Sequence, residues 1–184
     1  MRLVKGKDAI FETDKYDVIL VGTSVYDLLT HGFQGKIGKK YPFVLDANHK
    51  QPYGDLRRLG TRLTLEEDGS PIISLLYVCR YPKKGLHSLD YEALRKCFLT
   101  SAAEFKGKRI ITTIIGSNEF DGEGDREKIL RMMRRIFKDI DIDVYDYPQK
   151  SILEEVKEKR KQLKAMGVKD TNKCREILQK LFLI

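Results

Sequence analysis

The sequence contains no tryptophan and few cysteines, prolines or histidines. Its three cysteines, Cys79, Cys97 and Cys174, lie far apart, without CxxC spacing or paired histidines. That arrangement argues against a zinc site and against a disulfide framework, and it suits a reducing cytosol. We therefore expect buried apolar cysteines, no metal and no cofactor.

Long apolar runs are lacking as well. The longest, Ile72–Val78 and Ile110–Ile115, have the length of a strand and fall far short of a membrane span. The first residues, MRLVKGKDAIFE, lack the apolar centre of a signal peptide. These absences favour a cytoplasmic protein that does not bind a membrane.

Acidic residues are in the minority. The sequence has 27 Asp and Glu residues and 35 Lys and Arg residues, which gives a formal net charge of +8. A basic excess favours an anionic partner such as a nucleic acid, a nucleotide or a phosphorylated protein. The alternative is an ordinary protein with an uneven surface. Part of the excess comes from a helical tail, and part from Lys36, Lys39, Lys40, Arg57 and Arg58.

Strands and helices alternate through residues 1–148, which predicts one three-layer α/β/α domain with a central mixed sheet. The predicted strands are Arg2–Val4, Ala9–Glu12, Asp17–Gly22, Thr61–Glu66, Pro71–Val78, RIITTII ending at Ile115, and IDVYDY before Pro148. The predicted helices are a short one at Lys36–Tyr41, ended by Pro42, and longer ones at Leu89–Phe105 and Arg126–Lys138. We expect Phe43–Gly60 to be a loop.

After Pro148 the composition changes to two charged amphipathic segments, which predict a C-terminal helical extension over residues 149–184. Ser151 and Glu154 form a capping-box pattern at its start. We expect the extension to pack on the domain or on a second copy of the chain, in which case it would form a homodimer.

Two glycine-containing segments follow buried strands and precede helices, where α/β proteins bind ligands. One runs from Gly22 to Gly38 and the other from Gly116 to Asp125. Glycines let backbone N–H groups approach a phosphate, and a helix N-terminus adds partial positive charge. Together the segments could hold both phosphates of a pyrophosphate. Neither matches the Walker or the Rossmann pattern, and glycines after strands are most often plain turns.

The second segment also carries four carboxylates: Glu119, Asp121, Glu123 and Asp125. Glu123 and Asp125 precede a helix, so capping is their expected role. Asp121 has no helix to cap, which makes it the better candidate for contact with a ligand.

Several segments, taken in order, resemble macro domains over residues 1–147. VKGKDAIFETDKYDVILVGTS resembles the opening turn and buried strand, and HGFQGKIGKKYP resembles the glycine-rich loop and short helix after it. PYGDLRRLGTRLTLEEDG resembles the next turn and hairpin. The stretch from LDYEALRKCF to RMMRRIF is similar to the helix, strand, phosphate loop and helix that complete the fold. The chain most resembles the branch of terminal ADP-ribose glycohydrolases and of antitoxins that remove ADP-ribose from DNA.

This resemblance implies a domain that binds ADP-ribose. Asp8 would accept the adenine amino group, in a turn that has one inserted residue. The family's asparagine-rich loop is matched by Gly22, Thr23 and Ser24. The distal ribose and phosphate would lie against Gly32–Ile37, which includes Gly32, Phe33, Gln34 and Gly35. The diphosphate would be wrapped by Gly116, Ser117, Asn118, Glu119, Phe120 and Gly122.

Departures from the family's pattern bear on catalysis. The asparagine-rich loop reads Gly-Thr-Ser-Val from residue 22, so we do not expect a water positioned by asparagine. Asn118 would crowd a phosphate unless it adopts the left-handed conformation. The family's nucleophilic lysine matches Lys83, Lys84 or else Arg80, which stays protonated and cannot attack. A hydrolase would use Lys83 or Lys84 as nucleophile and Asp121 as acid or base.

Other side chains near these positions are weaker candidates. His87 is a further acid or base, or else a residue that only forms a hydrogen bond before a helix. Tyr53, Tyr77 and Tyr81 are candidates for stacking on adenine, although tyrosines in such a sheet usually pack.

Three functions therefore stay open. The first is an ADP-ribose-binding domain that hydrolyses ADP-ribosyl linkages on protein or nucleic acid. The second is a non-catalytic reader of ADP-ribose or another nucleotide. The third is a nucleic-acid-binding or assembly protein that has kept the fold and lost the pocket.

Overall fold

The computed structural model describes residues 1–26, 29, 31–81, 87–118 and 122–146. Within them, six strands form one sheet in the order β1-β6-β5-β2-β4-β3. They are β1 (Arg2–Lys5), β2 (Val18–Ser24), β3 (Arg62–Leu65), β4 (Ile72–Cys79), β5 (Ile110–Thr113) and β6 (Ile142–Asp146). Neighbouring strands are parallel except β3, which is antiparallel to β4. The predicted mixed sheet is confirmed.

Two hydrophobic cores lie on opposite faces of this sheet. One core joins Ile19 and Val21 of β2 to Phe33 and Ile37 of helix α1 (Gly32–Lys40) and to Val44 of helix α2 (Pro42–His49). The other joins Val18 and Leu20 of β2 to residues of helices α3 (Tyr91–Glu104) and α4 (Arg126–Ile136). Because β2 contributes side chains to both cores, all of its residues are buried, as its uninterrupted apolar run predicts.

The helices on the second face match their sequence signals. Asp90 caps α3, and Asp125 caps α4 by accepting the Lys128 N–H at 2.9 Å. The buried side of α4 consists of Ile129, Met133 and the adjacent Phe137, so Met133 belongs to the hydrophobic core. No helix in the described part of the chain is long and apolar enough to cross a membrane.

Two expectations about local structure are wrong. Ala9–Phe11 is a 3-10 turn whose N-cap is Asp8, where a strand was predicted, because a capping carboxylate favours a turn over extended backbone. Pro42 begins helix α2, whereas the sequence predicted that it would end one helix and lead into a loop. Proline is well suited to the first position of a helix, where its missing N–H costs nothing.

Cys79 and Cys97 are buried, as predicted. Burial raises the pKa of the Cys97 thiol to about 12, which makes it unreactive. Cys174 and the predicted helical extension at 149–184 lie outside the described residues.

The parallel strands place their carboxyl ends at one edge of the sheet, called the carboxyl edge below. At this edge β2 lies between β4 and β5. The chain passes from β2 to β4 through α1, α2 and β3, and it then crosses to β5 through α3. Since α1 and α3 lie on opposite faces, the end of β2 is a topological switch point, where open α/β sheets form a ligand crevice.

Candidate functional site

Strand β2 ends at this crevice in three small residues, Gly22, Thr23 and Ser24, all of them buried. A Cβ atom at Gly22 would lie 2.4 Å from Cγ2 of Ile115, so a side chain there would collide with the segment after β5. Thr23 is 2% exposed, and its Oγ1 has no hydrogen-bond partner in the described part of the chain, to which the unpartnered atoms named below also refer. The Oγ of Ser24 accepts the Tyr26 N–H at 3.2 Å, which turns the chain at the strand's end.

Helix α1 begins without a side-chain cap. Gly32, its first residue, has φ +57°, and the side chain of His31 before it makes no capping hydrogen bond. The first hydrogen bond of the helix is the one that the Gly35 N–H donates to the His31 carbonyl, at 2.9 Å. Gln34 is 7% exposed, and its Oε1 has no hydrogen-bond partner. The start of α1 therefore presents N–H groups, partial positive charge and a buried polar side chain.

The segment after β5 is closed by its own backbone. The Gly124 N–H donates to the Gly116 carbonyl at 2.7 Å, and the Glu123 N–H donates to the Asn118 carbonyl at 3.0 Å. The Ser117 hydroxyl donates to the carbonyl of Ile114 at 2.7 Å. Asn118 does not adopt the left-handed conformation that would keep its side chain clear of a phosphate.

The glycines of this segment surround one side chain, Leu89. A Cβ atom at Gly116 would lie 2.6 Å from a Leu89 methyl carbon, and one at Gly124 would lie 2.3 Å from the other. A Cβ atom at Gly122 would lie 2.8 Å from Cβ of Leu89 and 2.9 Å from Sγ of Cys79. Gly116 and Gly122 also need their left-handed backbone, with φ +85° and +110°. Packing on Leu89 thus accounts for glycines that the sequence analysis interpreted as either phosphate-binding residues or plain turns.

Asp8 lies in the turn after β1, whose end is also at the carboxyl edge. Its carboxylate accepts the Ile10 N–H at 3.2 Å and forms an ion pair with Lys36 of α1. The pair ties this turn to α1. An adenine amino group at Asp8 would share a carboxylate that already has two partners.

The predicted catalytic residues Lys83, Lys84 and Asp121 lie outside the described residues, as do Glu119 and Phe120. Arg80, the third match to the family's lysine, is described. Its guanidinium pairs with the Asp90 carboxylate at 2.9 Å, and Asp90 also caps α3.

The acidic residues next to α4 have structural partners. Asp125 is the α4 cap, and the Glu123 carboxylate lies 3.8 Å from Nδ1 of His87, whose ring also contacts the Glu123 carbonyl at 2.9 Å. An open depression of about 610 Å³ runs along this side, lined by His87, Tyr91, Glu123, Asp125 and Glu127 among others. Arg126 also lines the depression but is paired with Glu127 and Asp146, and the three carboxylates outnumber it, so the lining does not favour an anionic ligand.

Three tyrosines meet at the carboxyl edge, although they lie far apart in the sequence. The ring of Tyr26 stacks on Tyr81 with centroids 5.4 Å apart, and it meets Tyr53 edge-on at 5.3 Å. Tyr53 and Tyr81 are exposed, whereas Tyr77, the third tyrosine proposed for stacking on adenine, is buried. No periodicity signals this cluster, and sequence reasoning missed Tyr26.

The basic residues counted as an anion-facing surface are largely paired. Lys36 pairs with Asp8, and Lys40 with Asp14 at 2.7 Å. Arg57 holds Asp55 in a fork of hydrogen bonds that lowers the pKa of that carboxyl to about 2. Arg58, by contrast, is buried against the Tyr77 ring at 3.9 Å. Sequence reasoning assigned it to the surface because nothing in its neighbours predicts burial.

Comparison with known proteins gives the fold. No protein-family model matches the sequence, and no curated protein matches it. A Bacteroides thetaiotaomicron protein of unknown function superposes with a TM-score of 0.65 at 17% identity, over 79% of this chain and 98% of the other. The macrodomain of Mycobacterium tuberculosis DarG superposes with a TM-score of 0.59 at 14% identity, over 80% of this chain and 98% of the other.

A third solved structure contains a ligand. Thermosipho africanus DarTG in complex with ADP-ribose superposes with a TM-score of 0.62 at 14% identity, over 82% of this chain and 43% of the other. The sheet order, the two helical layers and these likenesses agree with the resemblance drawn from the sequence. The chain has the macrodomain fold.

Proposed function

We propose that this chain binds ADP-ribose, with its diphosphate between the start of α1 and the segment after β5. Two of the similar solved structures, DarTG and a Trypanosoma brucei macrodomain, are complexes with ADP-ribose. The proposal brings that ligand to the crevice at the end of β2, where the fold places the uncapped start of α1.

One observation carries the proposal: two buried oxygens, one on the strand that ends at this crevice and one in the first turn of α1, have no partner among the described residues. They are Oγ1 of Thr23 and Oε1 of Gln34, on side chains 2% and 7% exposed. Buried polar groups are nearly always hydrogen-bonded, because an unpaired one costs about 1–3 kcal/mol. Ribose hydroxyls can donate to both oxygens, while the N–H groups of Gly32 and its successors receive a phosphate.

The binding mode runs along the carboxyl edge. Asp8, in the turn after β1, marks the adenine end, and the Gly32–Gly35 turn receives the distal ribose and its phosphate. Across the crevice, the backbone of Gly116 and Ser117 faces the diphosphate. Tyr26, Tyr53 and Tyr81 then lie near the distal end, where any attached group would leave.

Hydrolysis of an ADP-ribosyl linkage is the second candidate. The observation that favours it is the position of Gly116 and Gly122 at the carboxyl edge, since these residues flank Asp121 in the sequence. Lys83 or Lys84 would supply the attacking amine. Arg80 would not, because a guanidinium paired with Asp90 stays protonated.

Calorimetric titration tests the proposal. ADP-ribose, AMP and a short single-stranded oligonucleotide are titrated into the same protein. We expect saturable one-to-one binding of ADP-ribose, at least about tenfold tighter than AMP, because AMP lacks the second phosphate and distal ribose. Binding of the oligonucleotide alone would instead support a nucleic-acid-binding protein that has lost the pocket.

Incubation with ADP-ribosylated protein and DNA then separates hydrolase from reader. Release of ADP-ribose that stops on Asp121→Ala, with ADP-ribose affinity retained, would support hydrolysis. Wild-type protein that binds ADP-ribose and releases none would establish a reader.

A further inference from the structure

Arg58 is a buried cation that forms no ion pair within the described part of the chain. It is 8% exposed and ends the 3-10 turn Leu56–Arg58. Among the described residues, no carboxylate lies within ion-pair distance of its guanidinium, and the acid of its own turn, Asp55, is held by Arg57. Buried arginines are almost always paired, because a charge removed from water needs a compensating partner. Arg58 instead has neutral oxygen acceptors, the Tyr77 ring and only a longer-range attraction to Asp55, whose pKa it helps to lower.

The bonds of Arg58 converge on the turn that follows β2. Its Nη1 donates to the Val25 carbonyl at 3.3 Å and to the Pro52 carbonyl at 2.8 Å. Cζ of its guanidinium lies 3.9 Å from the centre of the Tyr77 ring. The Gly54 N–H also donates to the Val25 carbonyl, at 2.9 Å. Arg58 thus holds the first residue after β2 in place.

The network around Arg58 has more donors than acceptors. Oδ1 of Asn48 accepts the Tyr77 hydroxyl at 2.7 Å and Nη2 of Arg58 at 3.5 Å. Nδ2 of Asn48 and Nε of Arg58 are buried donors without an acceptor. Both the charge and the unmet donors favour a negative or oxygen-rich group nearby.

This network adjoins the proposed ligand site. Thr23 pairs with Tyr77 across β2 and β4, and Val25, which Arg58 holds, follows Ser24 directly. The unpartnered hydroxyl of Thr23 therefore lies on the strand that ends at this network. The guanidinium of Arg58 therefore lies next to Val25, the first residue after β2.

We propose that Arg58 determines the specificity of this site for an anionic ligand. Its buried charge attracts the phosphates of ADP-ribose, and its bonds to Val25 and Pro52 hold the first residue after β2 in place. The inference rests on the proposed function, because it names the residue that sets the ligand's charge. A buried charge acts over longer range than an exposed one, since less water lies between it and the ligand.

The sharpest test gives Arg58 a counter-charge within the protein. Asn48→Asp replaces an amide whose nitrogen has no partner with a carboxylate that keeps the oxygen bonded to Arg58 and Tyr77. We expect the affinity for ADP-ribose to fall about tenfold, because the new acid neutralises the charge the ligand uses. Affinity for adenosine, which lacks phosphate, should not change. The melting temperature should stay the same or rise.

Arg58→Met and Arg58→Lys separate charge from position. Both lose the planar fork that holds Val25 and Pro52, but only Lys keeps the charge. We expect Lys to bind ADP-ribose at least about fivefold tighter than Met, with equal affinity for adenosine. Arg57→Met, at the exposed neighbour paired with Asp55, is the matched control and should bind as wild type does.

The outcomes distinguish the two proposals. Wild-type protein that does not bind ADP-ribose removes the proposed function and this inference with it. Wild-type protein that binds, while Asn48→Asp and both Arg58 variants bind within about twofold of it, overturns the inference alone. Equal losses for ADP-ribose and adenosine would also overturn it, since they would show only a role in holding the turn.

Discussion

The two glycine-rich segments at the carboxyl edge share one sequence pattern and differ in structure. The segment after β2 ends in buried oxygens without partners and in a helix without a side-chain cap. The segment after β5 is closed by its own hydrogen bonds, packs its glycines on Leu89 and leads into α4, which Asp125 caps. The same order of strand, glycine-containing segment and helix therefore has a different physical reason at each of the two positions. The unmet polar groups identify the segment after β2 as the one whose side chains bind the ligand, whereas the segment after β5 offers only its backbone.

Gly116→Ala should give the largest effect on stability. The variant combines a left-handed φ of +85° with a Cβ atom 2.6 Å from Leu89. We expect a loss of about 3 kcal/mol in the free energy of unfolding, measured by urea denaturation. Gly69→Ala is the matched control: its φ is +79° with nothing within 4 Å, and it should cost only about 1 kcal/mol. Equal losses at the two positions would show that Leu89 does not constrain the segment.

Thr23→Val and Gln34→Leu should weaken ligand binding without weakening the fold. Each removes a buried oxygen for which the described residues supply no partner, so the free energy of unfolding should stay the same or rise. We expect each to lower the affinity for ADP-ribose about tenfold in a calorimetric titration.

Ser117→Ala is the control from the other segment. Its hydroxyl already donates to the Ile114 carbonyl, so its loss should leave the affinity unchanged. If Ser117→Ala weakened binding more than Gln34→Leu, the assignment of the two segments would be reversed.

Asp125→Ala should have a smaller effect, confined to stability. Loss of the α4 cap should cost about 1 kcal/mol, measured by thermal or urea unfolding. ADP-ribose affinity should be that of wild type, because the proposed phosphate site lies at the start of α1 and not at that of α4. Tighter binding in this variant would indicate that the phosphate lies at α4.

The smallest effect concerns pH. Because Arg57 lowers the pKa of Asp55 to about 2, the stabilisation by this pair is complete above the ordinary carboxyl pKa and is lost as the pH falls towards 2. Asp55 should therefore stay ionised at pH 4 in an NMR titration of its carboxyl carbon. A midpoint near the ordinary aspartate value would show that the fork with Arg57 does not persist in solution.

The layers of this fold could be predicted from sequence because each depends on a local pattern. The apolar run at Asp17–Gly22 predicted the buried strand β2, and the amphipathic segment Arg126–Lys138 predicted helix α4. Pro42 was misjudged because the same residue begins helices and follows their ends, and only the backbone around it distinguishes the two.

The candidate site was less accessible from sequence because its decisive features are contacts over long sequence separations. Leu89 meets three glycines of a later segment, and Arg58 lies under a turn more than 30 residues before it. Tyr26 meets Tyr53 and Tyr81 only after β2 and β4 pair. The positions of Thr23 and Gln34 came from the resemblance, whereas their unmet hydrogen bonds required the structure.

The central claim is that a phosphate of the ligand lies at the start of α1. Backbone amide NMR of ¹⁵N-labelled protein, recorded during titration with ADP-ribose, tests it at single residues. The account predicts the largest shifts at Gly32, Phe33 and Gln34, with a smaller one at Thr23. Amides at the start of α1 that do not move, with the largest shifts instead at Glu123–Glu127, would contradict it.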